Sequence, residues 1–152
     1  MMAANDSTIH ASAVLIGAKA ALIRGPAGSG KSRLAWDFII AAEQRALPFA
    51  RLVADDRAYV ENHSGRLLVR PAPALAGMIE IYGLGIRRIE FELVAVVGLI
   101  VDMAASDAVR YPGADAAKAR IAGVVLPRLA VAAGAEALPL VLASLRTPST
   151  GD

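Results

Sequence analysis

Gly25-Pro26-Ala27-Gly28-Ser29-Gly30-Lys31-Ser32 fits G-x-x-x-x-G-K-[ST], a spacing that suits a backbone wrapped around phosphate. Glycines let consecutive N–H groups turn inward as an anion nest, and the helix N-terminus beyond them adds partial positive charge. Lys31 then reaches the β- and γ-phosphates, and the Ser32 hydroxyl offers an oxygen to Mg²⁺. Phosphoryl transfer is largely positioning and charge stabilisation, so such a loop needs carboxylates for the metal and for the attacking hydroxyl. Two strand-terminal candidates compete. Asp102 closes the apolar run Val96 to Val101, whereas Asp55 and Asp56 close the shorter Arg51-Leu52-Val53-Ala54. By pattern alone the two are evenly matched. In favour of the pair, adjacent carboxylates resist joint ionisation unless a cation or shared proton lies between them. One could then face Mg²⁺ while the other accepts a proton.

The elements that must position these residues follow from periodicity. Ala20-Ala21-Leu22-Ile23 reads as a buried strand before the glycine loop, and Leu34 to Glu43 as a helix after it. Strand, loop, helix is the context the motif requires. Residues 8–16 read as a strand joined by Gly17-Ala18-Lys19 to the loop strand, an antiparallel start that predicts a mixed sheet. Phe49 to Ala54 reads as the next strand. Residues 58–61 and 66–70 form a hairpin around Asn62-His63-Ser64-Gly65, which leaves His63 exposed. Ala74 to Gly77 gives one helical turn, and Met78 to Tyr82 and Ile86 to Phe91 are extended about Gly83-Leu84-Gly85. Leu93 to Val101 suits the centre of a sheet, residues 104–118 read as loop, and Ile121 to Leu126 as a final strand. Residues 136–145 read as a closing helix, with Pro139 weighing against it.

Composition narrows the classes. At 152 residues, 56% of them hydrophobic and with a mean hydropathy of +0.50, the chain predicts one domain with a sizeable core. The uncharged apolar runs reach about half of the ~20 residues a spanning helix needs, and no secretory signal opens the chain. No cysteine is present, which excludes disulfides and thiolate metal sites and agrees with a reducing cytoplasm. The net charge of +2 is scattered and aromatics are few, so nucleic-acid binding has no support.

Taken together, the glycine loop, Leu52-Val53-Ala54-Asp55-Asp56-Arg57 about two dozen residues beyond it, and Ile79-Glu80-Ile81-Tyr82-Gly83-Leu84-Gly85-Ile86 resemble the catalytic domain of HPr kinase/phosphorylase. The resemblance runs from about Ile9 to Ile89 through three ordered motifs, and beyond residue 90 it carries none. It implies an α/β P-loop domain of the phosphoenolpyruvate carboxykinase-like type with a mixed central sheet. It also implies a serine kinase that uses ATP and Mg²⁺ and has the phosphocarrier protein HPr as partner. By the same resemblance, Asp55 deprotonates the target serine and acts as the acid in reverse, while Asp56 assists Mg²⁺ or substrate placement. His10 matches the family's histidine upstream of the loop; a lone strand histidine has an equally good structural reading. Glu80, Tyr82, Gly83 and Gly85 fall in the family signature, whose glycines permit either close approach of a partner or a turn.

Three departures matter. Arg33 stands where the family has an acid after G-K-S, weakening the case for a further metal carboxylate there. Tyr82 replaces the signature arginine, removing a fixed charge suited to phosphate and arguing against the phosphorolytic reaction. Residues 1–152 are read as a single P-loop kinase domain without the family's N-terminal domain, similar to short alphaproteobacterial versions. The resemblance implies a cytoplasmic hexamer. A P-loop small-molecule kinase and a catalytically reduced nucleotide-sensing module are the alternatives.

Overall fold

The computed structural model describes residues 8–150. Ten strands and two α-helices follow one another as β1 (Ile9–Ile16), β2 (Lys19–Arg24), α1 (Lys31–Glu43), β3 (Ala50–Ala54), β4 (Arg57–His63), β5 (Arg66–Pro71), β6 (Met78–Ile81), β7 (Gly85–Arg88), β8 (Ala95–Asp102), β9 (Lys118–Ile121), β10 (Val124–Ala130) and α2 (Ala137–Arg146), with one 3₁₀ turn at Pro73–Leu75. The fold is mixed α/β with a mixed sheet, as the sequence predicts.

Eight strands share the sheet. β1 pairs antiparallel with β2, β3 and β4, whereas β2 lies parallel to β8, and β8 parallel to β10. Because β4 pairs with β5 and β5 with the start of β8, the path β2-β1-β4-β5-β8 returns to β2. β1 and β8 are therefore shared between two layers, and the loop strand β2 is covered on both faces. Its residues alternate accordingly. Ala21 and Ile23 pack with Val14, Leu34, Phe38, Leu52, Val101 and Val141 beneath the helices. Ala20 and Leu22 pack with Val53, Leu67, Val69, Val97 and Ile100 on the β4–β5 side. Burial on both faces explains why β2 and β8 read as continuous apolar runs rather than alternating ones.

Three details differ from the sequence expectation. Residues 121–126 are not one strand; they span the turn of a β9–β10 hairpin, with Ala122 at φ 50° and Gly123 at φ 81°. Leu93 and Val94 lie outside β8 and are exposed, and the extended stretch after Gly85 is a strand only to Arg88. Pro139 is the third residue of α2, in the first turn, where backbone N–H groups have no intrahelical acceptor to lose.

Candidate active site

The glycine loop joins β2 to α1, and its geometry follows from Gly25. A Cβ there would lie 2.5 Å from Ser29 Oγ, 2.9 Å from Met103 Cβ and 3.0 Å from the Met103 carbonyl oxygen, so only glycine lets the loop fold back here. Gly30 caps α1 in the left-handed region at φ 97°, and it offers the first-turn amides no side-chain cap. Arg24 and Met103 anchor the base, the Met103 N–H donating to the Arg24 carbonyl at 2.7 Å.

Lys31 is the electrostatic oddity of the loop. Its side chain is buried, and its ammonium donates to the Gly25 carbonyl at 2.9 Å and the Pro26 carbonyl at 3.1 Å. Among the described residues it makes no ion pair with a carboxylate. Ser29 Oγ is buried in the same loop and has no hydrogen-bond partner among the described residues. Among the described residues, a buried cation held by two carbonyls, a hydroxyl without a partner and a helix N-terminus without a side-chain cap form a donor set that fits an anionic phosphate chain.

The three sequence motifs meet at one carboxylate. Asp55, 7% exposed, follows β3. Its Oδ1 accepts from Ser32 Oγ at 2.7 Å and from Ser12 Oγ at 2.7 Å, and its Oδ2 accepts from the Glu80 backbone N–H at 3.0 Å. The glycine-loop serine, the twin-acid strand end and the β6 strand thus share one hydrogen-bonded centre. A hydroxyl has one hydrogen: by giving it to Asp55, Ser32 keeps its lone pairs for a hard cation such as Mg²⁺.

Asp56 is exposed and sits at φ 68°, at the centre of a tight turn in which the Arg57 N–H donates to the Asp55 carbonyl at 2.8 Å. Its own N–H donates to Ser12 Oγ at 3.2 Å. His10 is exposed on β1, in register with Arg57, and the next residue, Ala11, donates its N–H to the Asp56 carbonyl at 3.1 Å. The fold therefore brings His10 to the same sheet end as the acid pair. His63 is exposed in its hairpin.

Asp102, the competing acid, is spoken for. Arg24 donates to both of its oxygens, at 2.7 and 2.8 Å, and Arg128 Nε donates to Oδ2 at 2.5 Å. Burial disfavours its charged form, but the hydrogen bonds and charges of Arg24 and Arg128 outweigh that and hold the carboxyl below the usual range. Arg128 also forms a two-pronged pair with Asp107 at 2.8 and 2.9 Å, which with Asp102 raises its own pKa. This cluster braces the ends of β2, β8 and β10. It is structural.

Glu80, Tyr82, Gly83 and Gly85 belong to the β6–β7 hairpin. Gly83 (φ 92°) and Gly85 (φ 88°) supply its turn, and neither is crowded by neighbours. Tyr82 is fully exposed, with Leu84 and Ile86 largely so, while Ile79 inserts into the core beside α1 and fixes the hairpin's base. Arg33 turns away from the centre toward Glu136, ahead of α2, at 3.8 Å. Ser12, Arg24 and Arg128 escape a motif-based reading; the one signal for Ser12 is a lone hydroxyl inside an apolar strand.

Fold and site together define a mixed α/β domain in which a glycine loop, an aspartate-terminated strand and a glycine hairpin converge. Among solved structures, the Hpr(Ser) kinase/phosphatase from Coxiella burnetii matches over 91% of this chain and 92% of its own, at 25% identity and a TM-score of 0.66. The resemblance drawn from the three motifs thereby extends over nine-tenths of the chain, past residue 90 where motifs end. No protein-family model matches the sequence, and no curated protein matches it.

Proposed function

We propose that this chain is an ATP- and Mg²⁺-dependent protein-serine kinase whose substrate is the phosphocarrier HPr, on a P-loop domain of the phosphoenolpyruvate carboxykinase-like type. The observation that carries the reading is the shared centre at Asp55, where Ser32 and Glu80 meet. The similarity to a Hpr(Ser) kinase/phosphatase supports the choice of substrate.

In this reading residues 25–32 hold the triphosphate: the loop amides and the N-terminus of α1 cradle it, and Lys31 exchanges its two carbonyl partners for phosphate oxygens. Ser32 and Asp56 would hold Mg²⁺, with Asp55 orienting the Ser32 hydroxyl. When bound, the ion neutralises charge on the β- and γ-phosphate oxygens. The acceptor serine oxygen forms a bond to the γ-phosphorus as the bond to the ADP oxygen breaks, and Asp55 receives the serine proton. His10 stands at the same sheet end, where it faces the transferred phosphate. Tyr82, Leu84 and Ile86 present an apolar hairpin tip to a protein substrate, with Gly83 and Gly85 permitting the turn. With Tyr82 in place of the signature arginine, the phosphorolytic reaction is the weaker direction. Among the described residues no helix is long and apolar enough to cross a membrane. The proposed setting is cytoplasmic and the proposed assembly a hexamer, as in the family the motifs resemble.

The test is incubation with γ-labelled ATP, Mg²⁺ and purified HPr, alongside HPr lacking its acceptor serine. Label on the intact HPr alone supports the proposal. Label on a metabolite, or nucleotide binding without turnover, favours the small-molecule kinase or the sensing module.

A further inference from the structure

Ser12 is fully buried in β1, among Ala11, Ala13 and Val14, and its hydroxyl has two partners on the acid pair. It donates to Asp55 Oδ1 at 2.7 Å and accepts the Asp56 N–H at 3.2 Å. One oxygen therefore fixes both the rotamer of the first acid and the backbone of the second, which stands in the left-handed region at φ 68°. That conformation is uncommon for a side-chain-bearing residue and persists where its surroundings hold it. β1 is itself held by β2, β3 and β4, so Ser12 sits on a rigid support. Asp55 Oδ1 receives the Ser12 and Ser32 hydroxyls together, which links Ser12 through one carboxylate oxygen to the loop serine.

We infer that Ser12 is a positioning residue: it aims Asp55 at the Ser32 hydroxyl and sets the Asp56 turn, so that the site accepts a divalent cation together with the nucleotide. The inference rests on the kinase reading for the identity of the nucleotide, and its test does not need turnover. Ser12→Ala removes the hydroxyl with almost no change of volume in a strand already rich in alanine. Asp55 keeps its Ser32 and Glu80 donors but loses the contact that fixes its tilt. Small misplacements of this kind cost up to about 100-fold where geometry decides.

Calorimetry on the full chain would measure ATP affinity with and without Mg²⁺ for the wild type, Ser12→Ala and Ser12→Thr, with unfolding midpoints recorded in parallel. The expected result is that Ser12→Ala keeps its Mg²⁺-free ATP affinity within about twofold but loses about tenfold of the enhancement Mg²⁺ gives the wild type. Ser12→Thr, which restores the hydroxyl, retains most of it. The inference is overturned if Ser12→Ala keeps the full enhancement, if it loses affinity equally with and without Mg²⁺, or if a folded Thr variant behaves like Ala. Absence of any enhancement in the wild type overturns it too. Transfer of label to HPr, run on the same samples, separates the two claims. A wild type that fails to label HPr, yet shows an enhancement that Ser12→Ala loses, sinks the kinase reading and leaves the role of Ser12 standing.

Discussion

Replacing Lys31 by methionine should move stability and binding in opposite directions. Lys31 as a residue is 8% exposed, and its ammonium spends two hydrogens on the Gly25 and Pro26 carbonyls, with no carboxylate partner among the described residues. Carbonyl dipoles compensate a desolvated charge only in part. Methionine keeps the length and apolar stem, and the two carbonyls lie in a loop where water can replace the lost donor. Removing the charge should therefore stabilise the ligand-free protein by about 1–2 kcal/mol. At roughly 2–4 °C per kcal/mol for a chain of this size, the unfolding midpoint rises by about 2–8 °C. ATP loses its principal cation, which costs about 2–5 kcal/mol, or roughly 30- to 5,000-fold in affinity. At 100 times the wild-type Kd, ATP stabilises the wild type by ~2.7 kcal/mol but a 100-fold weaker variant by only ~0.4 kcal/mol. Urea unfolding with and without ATP reads both effects in one series. A ligand-free variant destabilised by more than about 1 kcal/mol, or an ATP affinity within about threefold of wild type, refutes the idea that the loop stores an unpaired charge for phosphate.

Other substitutions probe the frame around the loop. Gly25→Ala must displace Ser29 or the Met103 backbone, both within 3.0 Å of the new Cβ, and should cost about 1–3 kcal/mol in chemical unfolding as well as weakening ATP binding; an unchanged midpoint would contradict the crowding. Asp102→Asn removes the partner of Arg24 and Arg128 and should cost about 2–3 kcal/mol at pH 7, less than a fully buried pair because Arg24 is a third exposed. Since the folded carboxyl is depressed, its contribution is fully present above the unfolded value near 3.9 and disappears as pH falls through the lower folded value. The stability gap between wild type and variant should therefore begin to shrink below about pH 4 and narrow progressively with further acidification, and a gap that stays constant down to pH 2 would refute the assignment.

Much of the site was legible because its grammar is local. The glycine loop, the strand before it and the helix after it fall within consecutive residues, and β1–β2 announces itself through Gly17. The twin acids could be found by pattern but not ranked, because what sets Asp102 apart is its pairing with Arg24 and Arg128, brought to it by the parallel pairing of β2 and β10 with β8. No local signal encodes that pairing. Ser12 stayed invisible for the same reason: its partners lie on the far end of β3. The β9–β10 hairpin was missed because its turn places Ala122 at positive φ, where Asn or Asp would have signalled a turn. Pro139 misled through its residue type; its position in the first turn of α2 removes the objection. The closure of the sheet through β5 and β8 depends on registers that apolar runs buried on both faces do not specify.

The central claim is that Asp55, held by Ser32, Ser12 and the Glu80 amide, takes the proton of an incoming serine. It is tested most directly by single-turnover transfer of the γ-phosphate to HPr, comparing the wild type with Asp55→Asn and Asp102→Asn at saturating ATP. The account predicts transfer by the wild type and by Asp102→Asn. For Asp55→Asn it predicts a rate at least about 100-fold lower with ATP still bound. Transfer that survives in Asp55→Asn and vanishes in a folded Asp102→Asn would contradict it.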